Sequence, residues 1–214
     1  MKLWSYWRSS CAYRVRIALG LKGLPFEYAA VHLMRDGGQQ HRPEFHALNP
    51  HGQVPVLEVE DEGRIVPVVQ SMAIIEYLEE RFPQPPLLPA TARARAHVRA
   101  MAELVNSGIQ PLQNTATFEE LRKHGLATDP WTRHFITKGL TSLEQLARPM
   151  AGAFLFGDHV GLADLFLVPQ LYNARRWGVA LDAFPTLVRA DENARALPAF
   201  QAAAPEVQPD AEPG

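Results

Sequence analysis

The organisation of this chain follows from the stretch Arg8-Ser9-Ser10-Cys11-Ala12-Tyr13-Arg14-Val15-Arg16-Ile17-Ala18-Leu19. Residues 2–7 before it are β-prone and rich in tryptophan, so they predict a short strand. The apolar positions of one helical stripe then recur at i, i+4, i+7 and i+8: Cys11, Val15, Ala18 and Leu19. Two hydroxyls and an arginine therefore precede a helix whose free N–H groups and dipole favour an anion, such as a thiolate.

The charged residues and the cysteine of this stretch allow different roles. Arg14 and Arg16 are expected on a solvated helix face, as ion-pair partners. Arg8 lies at the carboxyl end of the strand, where open α/β sheets bind ligands. Cys11 is either a small core residue or a nucleophile with a depressed pKa. Because the chain has one cysteine, a two-cysteine redox mechanism is excluded.

Composition limits the class of protein. The 214 residues have a formal net charge of -2, with 47% hydrophobic and 21% charged residues. Without a block of lysine and arginine, we expect no nucleic-acid partner. No apolar run reaches the roughly 20 residues that cross a bilayer, and the N-terminus lacks the apolar stretch of a signal peptide. A lone cysteine suits a reducing compartment, so we expect a cytoplasmic protein. The scattered histidines predict no metal site.

The order of predicted elements divides the chain in two. Residues 1–82 predict strands and helices in the order βαβ, α, ββα, which builds a small mixed sheet with helices packed against it. The proline-rich residues 83–90 predict a linker. Residues 91–214 are expected to be all-α, with periodic segments at 91–109, 117–124, 130–147, 162–177 and 186–203. The tail from Ala204 is expected to be extended and partly mobile.

Two motifs of the first part suit an extended ligand with a carboxylate. If the Val54-Pro55 bond is cis, the backbone N–H and C=O of Val54 are left facing outward for an extra strand; an ordinary trans proline is the alternative. Gln70-Ser71 opens a predicted helix, so Ser71 either caps that helix or binds a carboxylate there.

Polar residues interrupt the helical pattern of the second part. Residues 106–114, from Asn106 through Gln110, place amides, a glycine and a proline where a long helix is predicted, which indicates a loop between two helices. Gly161 precedes Asp164 by three positions, the spacing of a capping box of which a glycine can supply only half. Arg175 and Arg176 end that helix, where cations suit the dipole.

Together these motifs resemble the zeta class of glutathione transferases, the maleylacetoacetate isomerase family. The resemblance runs almost end to end. Its elements are Ser9-Ser10-Cys11 with residues 14–19, Asn49-Pro50 with Gln53-Val54-Pro55, Gln70-Ser71 with residues 73–78, residues 106–114, and residues 162–170. The Ser-Ser-Cys motif is specific to the class, whereas the proline and Gln-Ser motifs are shared across the superfamily. Gly161 departs from the Ser or Thr that is usual in the family.

The resemblance implies a thioredoxin-like glutathione-binding domain (1–82), an all-helical domain with the acceptor-substrate site (91–214), and a homodimer. It implies that Val54, before a cis Pro55, pairs with the glutathione backbone. The residues it implies for catalysis are Ser9, Ser10 and Cys11. Those for glutathione are Ser9, Gln53, Val54, Pro55, Gln70, Ser71, Asn106 and Gln110. The substrate carboxylates need cations, for which Arg8 and Arg176 are the candidates; whether Arg175 or Arg176 faces the substrate stays open. Among these, Ser9 is expected to outrank Cys11, because the reacting sulfur arrives with glutathione.

The implied activity is the glutathione-dependent cis-trans isomerisation of an anionic maleyl keto acid, maleylacetoacetate, in aromatic catabolism. Three alternatives stay open at this point. The first is isomerisation of maleylpyruvate, a shorter acid. The second is a general glutathione transferase, or a dehalogenase of small α-halo acids. The third, from another class, is a non-catalytic interaction module, although Ser9, Gln70 and Ser71 are all present.

Overall fold

A computed structural model describes residues 1–212 of the chain. The chain forms two compact units. The first contains Met1–Pro85 together with the chain from Pro198 onward, and the second contains Pro86–Leu197. We expected residues 91–214 to form one helical domain. The segment after Pro198 belongs instead to the first unit, because its backbone and side chains hydrogen-bond to residues there, as described below.

The first unit is built on a mixed sheet whose strand order is β2–β1–β3–β4. Strand β1 (Lys2–Ser5) runs parallel to β2 (Glu27–Ala30) and antiparallel to β3 (Val56–Asp61), which pairs antiparallel with β4 (Arg64–Val69). The helices of this unit are α1 (Ser10–Leu21), α2 (Pro43–Leu48), α3 (Ser71–Arg81) and α9 (Pro198–Ala203). This arrangement confirms the predicted thioredoxin-like α/β fold.

Helix α1 is buried on more than its apolar stripe. Arg14 and Arg16, expected on a solvated face, are 0% and 2% exposed. That expectation is wrong because α1 packs against α3 on one side and α9 on another, and close approach is eased where Gly20 faces Ala199. A helix with apolar residues all round is buried all round, so any arginine on it must find partners in the interior.

The C-terminal tail is ordered as far as the structure describes it. A short 3₁₀ turn covers Pro205–Val207. The Gln208 side-chain amide then donates to the carbonyls of Ala202 (3.0 Å) and Ala204 (2.8 Å). The expectation of an extended, mobile tail is therefore wrong up to residue 212, and its last two residues lie outside the described part.

The second unit is helical, as predicted. Its helices are α4 (Ala92–Gly108), α5 (Thr115–Lys123), α6 (Thr128–Ala147), α7 (Leu162–Arg176) and α8 (Pro185–Arg195). The interrupted stretch after α4 forms a 3₁₀ turn at Gln110–Gln113. The buried carboxylate of Glu144 accepts from the first backbone N–H groups of α8, those of Thr186 (3.2 Å) and Leu187 (3.1 Å).

The backbone N–H groups at the start of α7 hydrogen-bond to acceptors within the chain. Asp164, 1% exposed, accepts from the N–H of Gly161 (2.9 Å) and of Leu155 (3.0 Å). This is the half capping box that the spacing predicts. The Leu87 carbonyl accepts from Leu162 N–H at 2.8 Å. Burial raises the pKa of the Asp164 carboxyl to about 6, although hydrogen bonds from three backbone N–H groups, those of Leu155, Gly161 and Asp164 itself, act in the opposite direction.

No helix within residues 1–212 combines the length and the apolar character that crossing a membrane requires.

Candidate active site

Ser9 caps the N-terminus of α1. Its backbone is extended, and its Oγ accepts a hydrogen bond from the Ala12 N–H at 3.2 Å. Its own N–H donates to the Tyr6 carbonyl at 3.0 Å, which closes a turn between β1 and α1. Within residues 1–212, the Ser9 hydroxyl donates to no acceptor. Because its oxygen already serves the helix, its hydrogen is available for an external acceptor.

Ser10, Cys11 and Arg8 flank Ser9 at the start of α1. Ser10 is the first residue of α1, and both Ser10 and Cys11 are half-buried. The Arg8 guanidinium lies 5.2 Å from the Trp7 ring centroid, a cation-π contact that keeps a positive charge just before the hydroxyls. First-turn acidic residues are absent from the described α1. The start of α1 therefore combines hydroxyls, a dipole and a cation without an acidic side chain in its first turn.

The Val54-Pro55 bond is cis, as the family resemblance implies. Val54 is buried in a cluster with Tyr6 and Trp7, the residues that lead into the Ser9 turn. Across the described residues, neither the N–H nor the C=O of Val54 takes part in a hydrogen bond. The Gln53 carbonyl, in contrast, accepts from the Asn49 side-chain amide at 2.7 Å. Val54 thus presents a free donor and acceptor, which is what an added strand requires.

Ser71 is joined to α1 through Arg14. The N-cap of α3 is Gln70, and Ser71 is the first helical residue, so of the two alternatives left open for Ser71 the structure does not show capping. The Ser71 Oγ accepts instead from Arg14 Nη1 at 3.1 Å. Ser71 is 4% exposed and its hydroxyl hydrogen is bound to no acceptor of the described chain. Ser9 and Ser71 therefore share one feature: each oxygen accepts a protein donor, and each hydrogen is left for a ligand.

Gln70 has a strained backbone. Its φ of 70° lies in the left-handed region, which non-glycine residues rarely adopt. The Gln70 side chain is exposed, whereas its carbonyl begins α3 by accepting from Ile74 N–H at 2.9 Å. Backbone strain of this kind costs about 1–3 kcal/mol and occurs often at binding sites. The same left-handed conformation occurs at Asp36 and Glu62, so the strain at Gln70 makes the Gln70-Ser71 corner a candidate binding site only together with the Ser71 hydroxyl.

The second unit carries the remaining predicted residues. The Asn106 side-chain amide donates to Glu103 Oε1 at 3.2 Å, and Gln110, half-buried, opens the 3₁₀ turn after α4. Gln113, in the same 3₁₀ turn, is buried, and its side-chain amide donates to Gln170 Oε1 of α7 at 2.6 Å. The polar stretch that interrupts the helical pattern thus supplies amides to the interior of the helical unit.

The two arginines that end α7 differ. Arg175 donates to the buried carboxylate of Asp191 at 2.6 Å, and Arg195 lies 3.8 Å from that same oxygen. Arg176 is exposed, lies 5.9 Å from the Tyr172 ring and donates to Asn173 Oδ1 at 3.4 Å, longer than a strong hydrogen bond. Arg175 is therefore held by an internal ion pair.

Three side chains near the Ser9 turn were missed by reasoning from the sequence: Arg14, Arg16 and Asp210. Arg16 donates to the Trp7 carbonyl at 2.9 Å, and Asp210 accepts from the Trp7 N–H at 3.1 Å. The apolar residues on every side of α1 were a signal that its arginines are buried. The sequence carries no comparable signal for Asp210.

Among residues 1–212, no group of three or more His, Cys, Asp or Glu side chains is placed to hold a metal ion.

Comparison with known proteins identifies relatives along the whole chain. Residues 8–81 match the family model described as the glutathione S-transferase N-terminal domain. The chain is 49% identical over 213 residues to the maleylacetoacetate isomerase of Pseudomonas aeruginosa, covering 98% of both chains.

Solved structures agree with this. The maleylacetoacetate isomerase from Anaeromyxobacter dehalogenans 2CP-1, with glutathione bound in the active site, is 54% identical with a TM-score of 0.91, covering 99% of this chain and 97% of that one. Another structure of that protein holds dicarboxyethyl glutathione and citrate in the active site. A maleyl pyruvate isomerase, described as a bacterial glutathione S-transferase of the zeta class, is 43% identical with a TM-score of 0.93, covering 99% of this chain and all of that one. The chain belongs to the zeta class of glutathione transferases, the family of the maleylacetoacetate isomerases.

Proposed function

We propose that this chain is a glutathione-dependent isomerase that converts maleylacetoacetate into fumarylacetoacetate in the catabolism of aromatic amino acids and related compounds. The observation that carries the proposal is the state of Ser9, whose oxygen is committed to Ala12 N–H and whose hydrogen is left for an acceptor. A thiolate at the start of α1 is the acceptor that this geometry suits.

The residues present fit glutathione. The free N–H and C=O of Val54 suit the peptide backbone of the cysteinyl residue. The Ser71 hydroxyl, fixed by Arg14, suits the γ-glutamyl carboxylate, and Gln70 stands beside it at the start of α3. Gln53, Pro55, Asn106 and Gln110 complete the proposed binding set. When bound, glutathione supplies the sulfur that adds reversibly to the cis double bond, so that the central bond becomes single, rotates, and re-forms as the trans double bond when the sulfur leaves.

Ser9 lowers the cost of ionising the thiol. A free thiol with a pKa near 8.5 is only a few per cent ionised at neutral pH. Donation from the Ser9 hydroxyl and the positive end of α1, assisted by Ser10, stabilises the anion. Each unit of pKa depression corresponds to about 1.4 kcal/mol. Cys11 is placed to adjust this environment and is not required as a nucleophile.

Cations bind the acid. The substrate has carboxylates at its ends, and negative charge develops on its keto group during addition. We assign these charges to Arg8, whose guanidinium precedes the hydroxyls of α1, and to Arg176, which ends α7 with an exposed side chain. The dicarboxyethyl glutathione in the Anaeromyxobacter structure is a thioether between glutathione sulfur and a four-carbon diacid. An adduct of that kind is what addition of a thiolate to a maleyl group produces, and this supports the proposed chemistry.

Maleylpyruvate isomerisation is the second candidate, because the fold matches a maleyl pyruvate isomerase with a TM-score of 0.93. The deciding experiment follows the ultraviolet absorbance of enzyme and glutathione mixed with maleylacetoacetate, with maleylpyruvate, or with chloroacetates. We expect the highest kcat/KM for maleylacetoacetate. Faster turnover of maleylpyruvate supports the second candidate, and faster chloride release from chloroacetate supports a dehalogenase. Failure to bind immobilised glutathione contradicts all three and favours an interaction module.

We also infer a homodimer and a cytoplasmic location. Strand β4 is an edge of the sheet with an apolar run at residues 65–69, and its Ile65 is 64% exposed. An uncovered apolar edge suits a second copy of the chain. The lone cysteine suits a reducing compartment. Sedimentation analysis of the wild type and of Ile65→Lys tests the dimer, and we expect the variant to dissociate at higher concentration than the wild type.

A further inference from the structure

The last described residues of the chain contact the turn that carries Ser9. We call residues 205–212 the C-terminal strap. Its Asp210 accepts from the Trp7 backbone N–H through Oδ2 at 3.1 Å and from the Tyr28 hydroxyl through Oδ1 at 2.6 Å. Trp7 is separated from Asp210 by 203 positions in sequence, yet it lies only two residues before Ser9. The strap thus acts on the backbone that leads directly into the candidate catalytic residue.

The opposite side of the same peptide is held by Arg16. The Arg16 guanidinium donates to the Trp7 carbonyl at 2.9 Å and to the Tyr6 carbonyl at 3.4 Å. It also donates to the carbonyl of Ala203, at the end of α9, at 3.0 Å. Trp7 therefore has its N–H tied to the strap and its C=O tied to a buried arginine. Burial lowers the pKa of Arg16 to about 10, so it stays charged at neutral pH.

The turn couples the position of the Trp7 peptide to that of Ser9. The Tyr6 carbonyl, which Arg16 contacts, accepts the Ser9 N–H at 3.0 Å. Each link is a hydrogen bond to a backbone group, so each fixes main-chain position and not only a side chain. Hydrogen bonds to charged groups are stronger than those between neutral groups, and the bonds from Asp210 and Arg16 both act on the same peptide of this turn.

The end of the strap is attached separately. Glu212 pairs with the exposed Arg35 and with His32, whose Nε2 lies 3.2 Å from Glu212 Oε1. His32 Nδ1 accepts from the Met34 and Arg35 N–H groups, so Nε2 carries the proton and donates to Glu212. These contacts hold the strap without touching Trp7. His32 itself packs edge-on against the Tyr6 ring, with 5.0 Å between the ring centroids, so this anchor adjoins the turn at Tyr6.

We propose that Asp210 is a positioning residue for Ser9, and that the C-terminal strap holds the Ser9 hydroxyl where it stabilises the glutathione thiolate. The proposal rests on the proposed function, because it assumes that Ser9 serves a bound thiol. It differs from a purely structural role in one respect. Displacing a hydroxyl donor raises the pKa of the bound thiol, whereas general loss of folded protein lowers activity equally at every pH.

Other titratable groups near the turn are defined. Around the turn lie Tyr6 and Arg8 of the turn itself, Tyr13 and Arg16 of α1, Tyr28 of β2, His32 just after β2, and Glu206 and Glu212 of the strap. Burial raises the pKa of Tyr6 and of Tyr28, the latter helped by its hydrogen bond to Asp210. Both phenols therefore stay neutral across the assay range, and their ionisation does not mimic that of a thiol.

The test compares Asp210→Asn with Glu206→Gln, a matched removal of an exposed charge from the same strap. Activity is measured with saturating maleylacetoacetate from pH 6 to 9.5, together with the KM for glutathione. We expect Asp210→Asn to lower kcat/KM for glutathione at pH 7 by about tenfold, corresponding to one unit of thiol pKa, and to recover toward wild type at high pH. Glu206→Gln should follow the wild-type profile. An unchanged profile in Asp210→Asn, or the same loss at every pH, overturns the proposal.

A second readout does not depend on activity. Hydrogen-deuterium exchange of peptides covering residues 3–12 should be faster in Asp210→Asn and unchanged in Glu206→Gln. If Asp210→Asn does not fold, Tyr28→Phe removes one donor from Asp210 and should shift the pH profile and the exchange less, in the same direction. A wild type without glutathione-dependent isomerase activity contradicts the proposed function. The exchange measurement still tests the strap in that case, because unchanged exchange in Asp210→Asn and Tyr28→Phe overturns the positioning role of Asp210.

Discussion

The starts of α1 and α7 solve the same problem in opposite ways. Every helix begins with backbone N–H groups that lack partners. At α7 the chain supplies the negative charge itself, through the buried Asp164, and the Leu87 carbonyl takes a further donor. At α1 the first turn has no acidic residue, and Ser9 both caps the helix and keeps its hydroxyl hydrogen. The start of α7 is a structural anchor because the chain provides the anion, and the start of α1, where it provides none, is the one that we propose as the thiolate site.

The contrast between the starts of α1 and α7 depends most on Ser9, which we propose to be required for activity. We expect Ser9→Ala to lower kcat/KM at neutral pH by about 100-fold, the usual effect of removing one donor from a developing anion. Loss of the cap should cost only about 1 kcal/mol of stability. Steady-state kinetics with urea unfolding measure both effects. Cys11→Ala is the control and should keep most of the activity. If Cys11→Ala is the more damaging change, the sulfur of the chain and not Ser9 carries the chemistry.

At the start of α7 we expect the opposite: a large effect on stability and none on glutathione binding. Asp164→Ala leaves the N–H groups of Leu155 and Gly161 buried without an acceptor, so we expect the free energy of unfolding to fall by about 2–5 kcal/mol. The KM of the remaining folded enzyme for glutathione should not change. Asp158→Ala is a matched control, because Asp158 accepts a single exposed N–H in the same region, from Ala153. Equal losses in the two variants would show that burial of Asp164 is unimportant.

The pH dependence of stability gives an independent test of this anchor. Burial raises the folded-state pKa of Asp164 from 3.8 to about 6, so between these values the folded state binds more protons than the unfolded state. Wild-type stability should therefore decrease, relative to Asp164→Asn, as pH rises from 4 to 6, by at most about 3 kcal/mol. Urea unfolding of both proteins at pH 4, 5, 6 and 7 measures this difference. A difference that is constant with pH, or that grows in the opposite direction, contradicts it.

The start of α3 is intermediate, because it combines a ligand corner with backbone strain. Gln70→Gly relieves the left-handed backbone and should raise the free energy of unfolding by about 1 kcal/mol, while affinity for glutathione falls because the amide is lost. Gln70→Ala also loses the amide but keeps the strain. Calorimetric titration with glutathione should therefore give similar losses for both variants, and only the glycine variant should gain stability. Equal stability of the two variants would mean that the strain at Gln70 is negligible.

Local patterns were enough to predict these helix starts. Ser9 before an apolar stripe, and Gly161 three residues before Asp164, are short-range signals that depend on side chains within one helical turn. The order of strands and helices in the first unit follows from the same kind of local periodicity. The cis bond before Pro55 did not, because both isomers are compatible with the residues around it; it came from the family resemblance.

Long-range partners could not be predicted. Arg14 and Arg16 look like surface residues because the pattern considers one face of α1, whereas their partners, such as Ser71 and Ala203, are distant in sequence. The role of Asp210 depends on the same kind of contact, with Trp7. Likewise, Arg175 and Arg176 are adjacent and identical, yet Arg175 pairs with the buried Asp191 whereas Arg176 contacts Tyr172 and Asn173. Pairing across the chain is set by tertiary packing, which a single sequence does not display.

The smallest expected effect concerns Gly161, the N-cap of α7, and a serine there that would cap α7 as Ser9 caps α1. Serine is a preferred N-cap, worth about 1 kcal/mol over alanine but only a few tenths of a kcal/mol over the glycine that α7 has at Gly161. Here a Cβ at Gly161 would lie 2.9 Å from the Leu87 carbonyl oxygen, which already accepts the Leu162 N–H. We expect the displacement of this carbonyl to cancel the cap, so that Gly161→Ser is no more stable than wild type.

Gly161→Ala separates the two contributions, because it introduces the same Cβ without a hydroxyl. It should be less stable than Gly161→Ser by about 1 kcal/mol, the value of the cap alone, and the midpoints of urea unfolding measure the difference. A serine variant that is clearly more stable than wild type would show that the Leu87 carbonyl moves at no cost. In that case the glycine is not required by packing, and α7 could have used the same serine cap as α1.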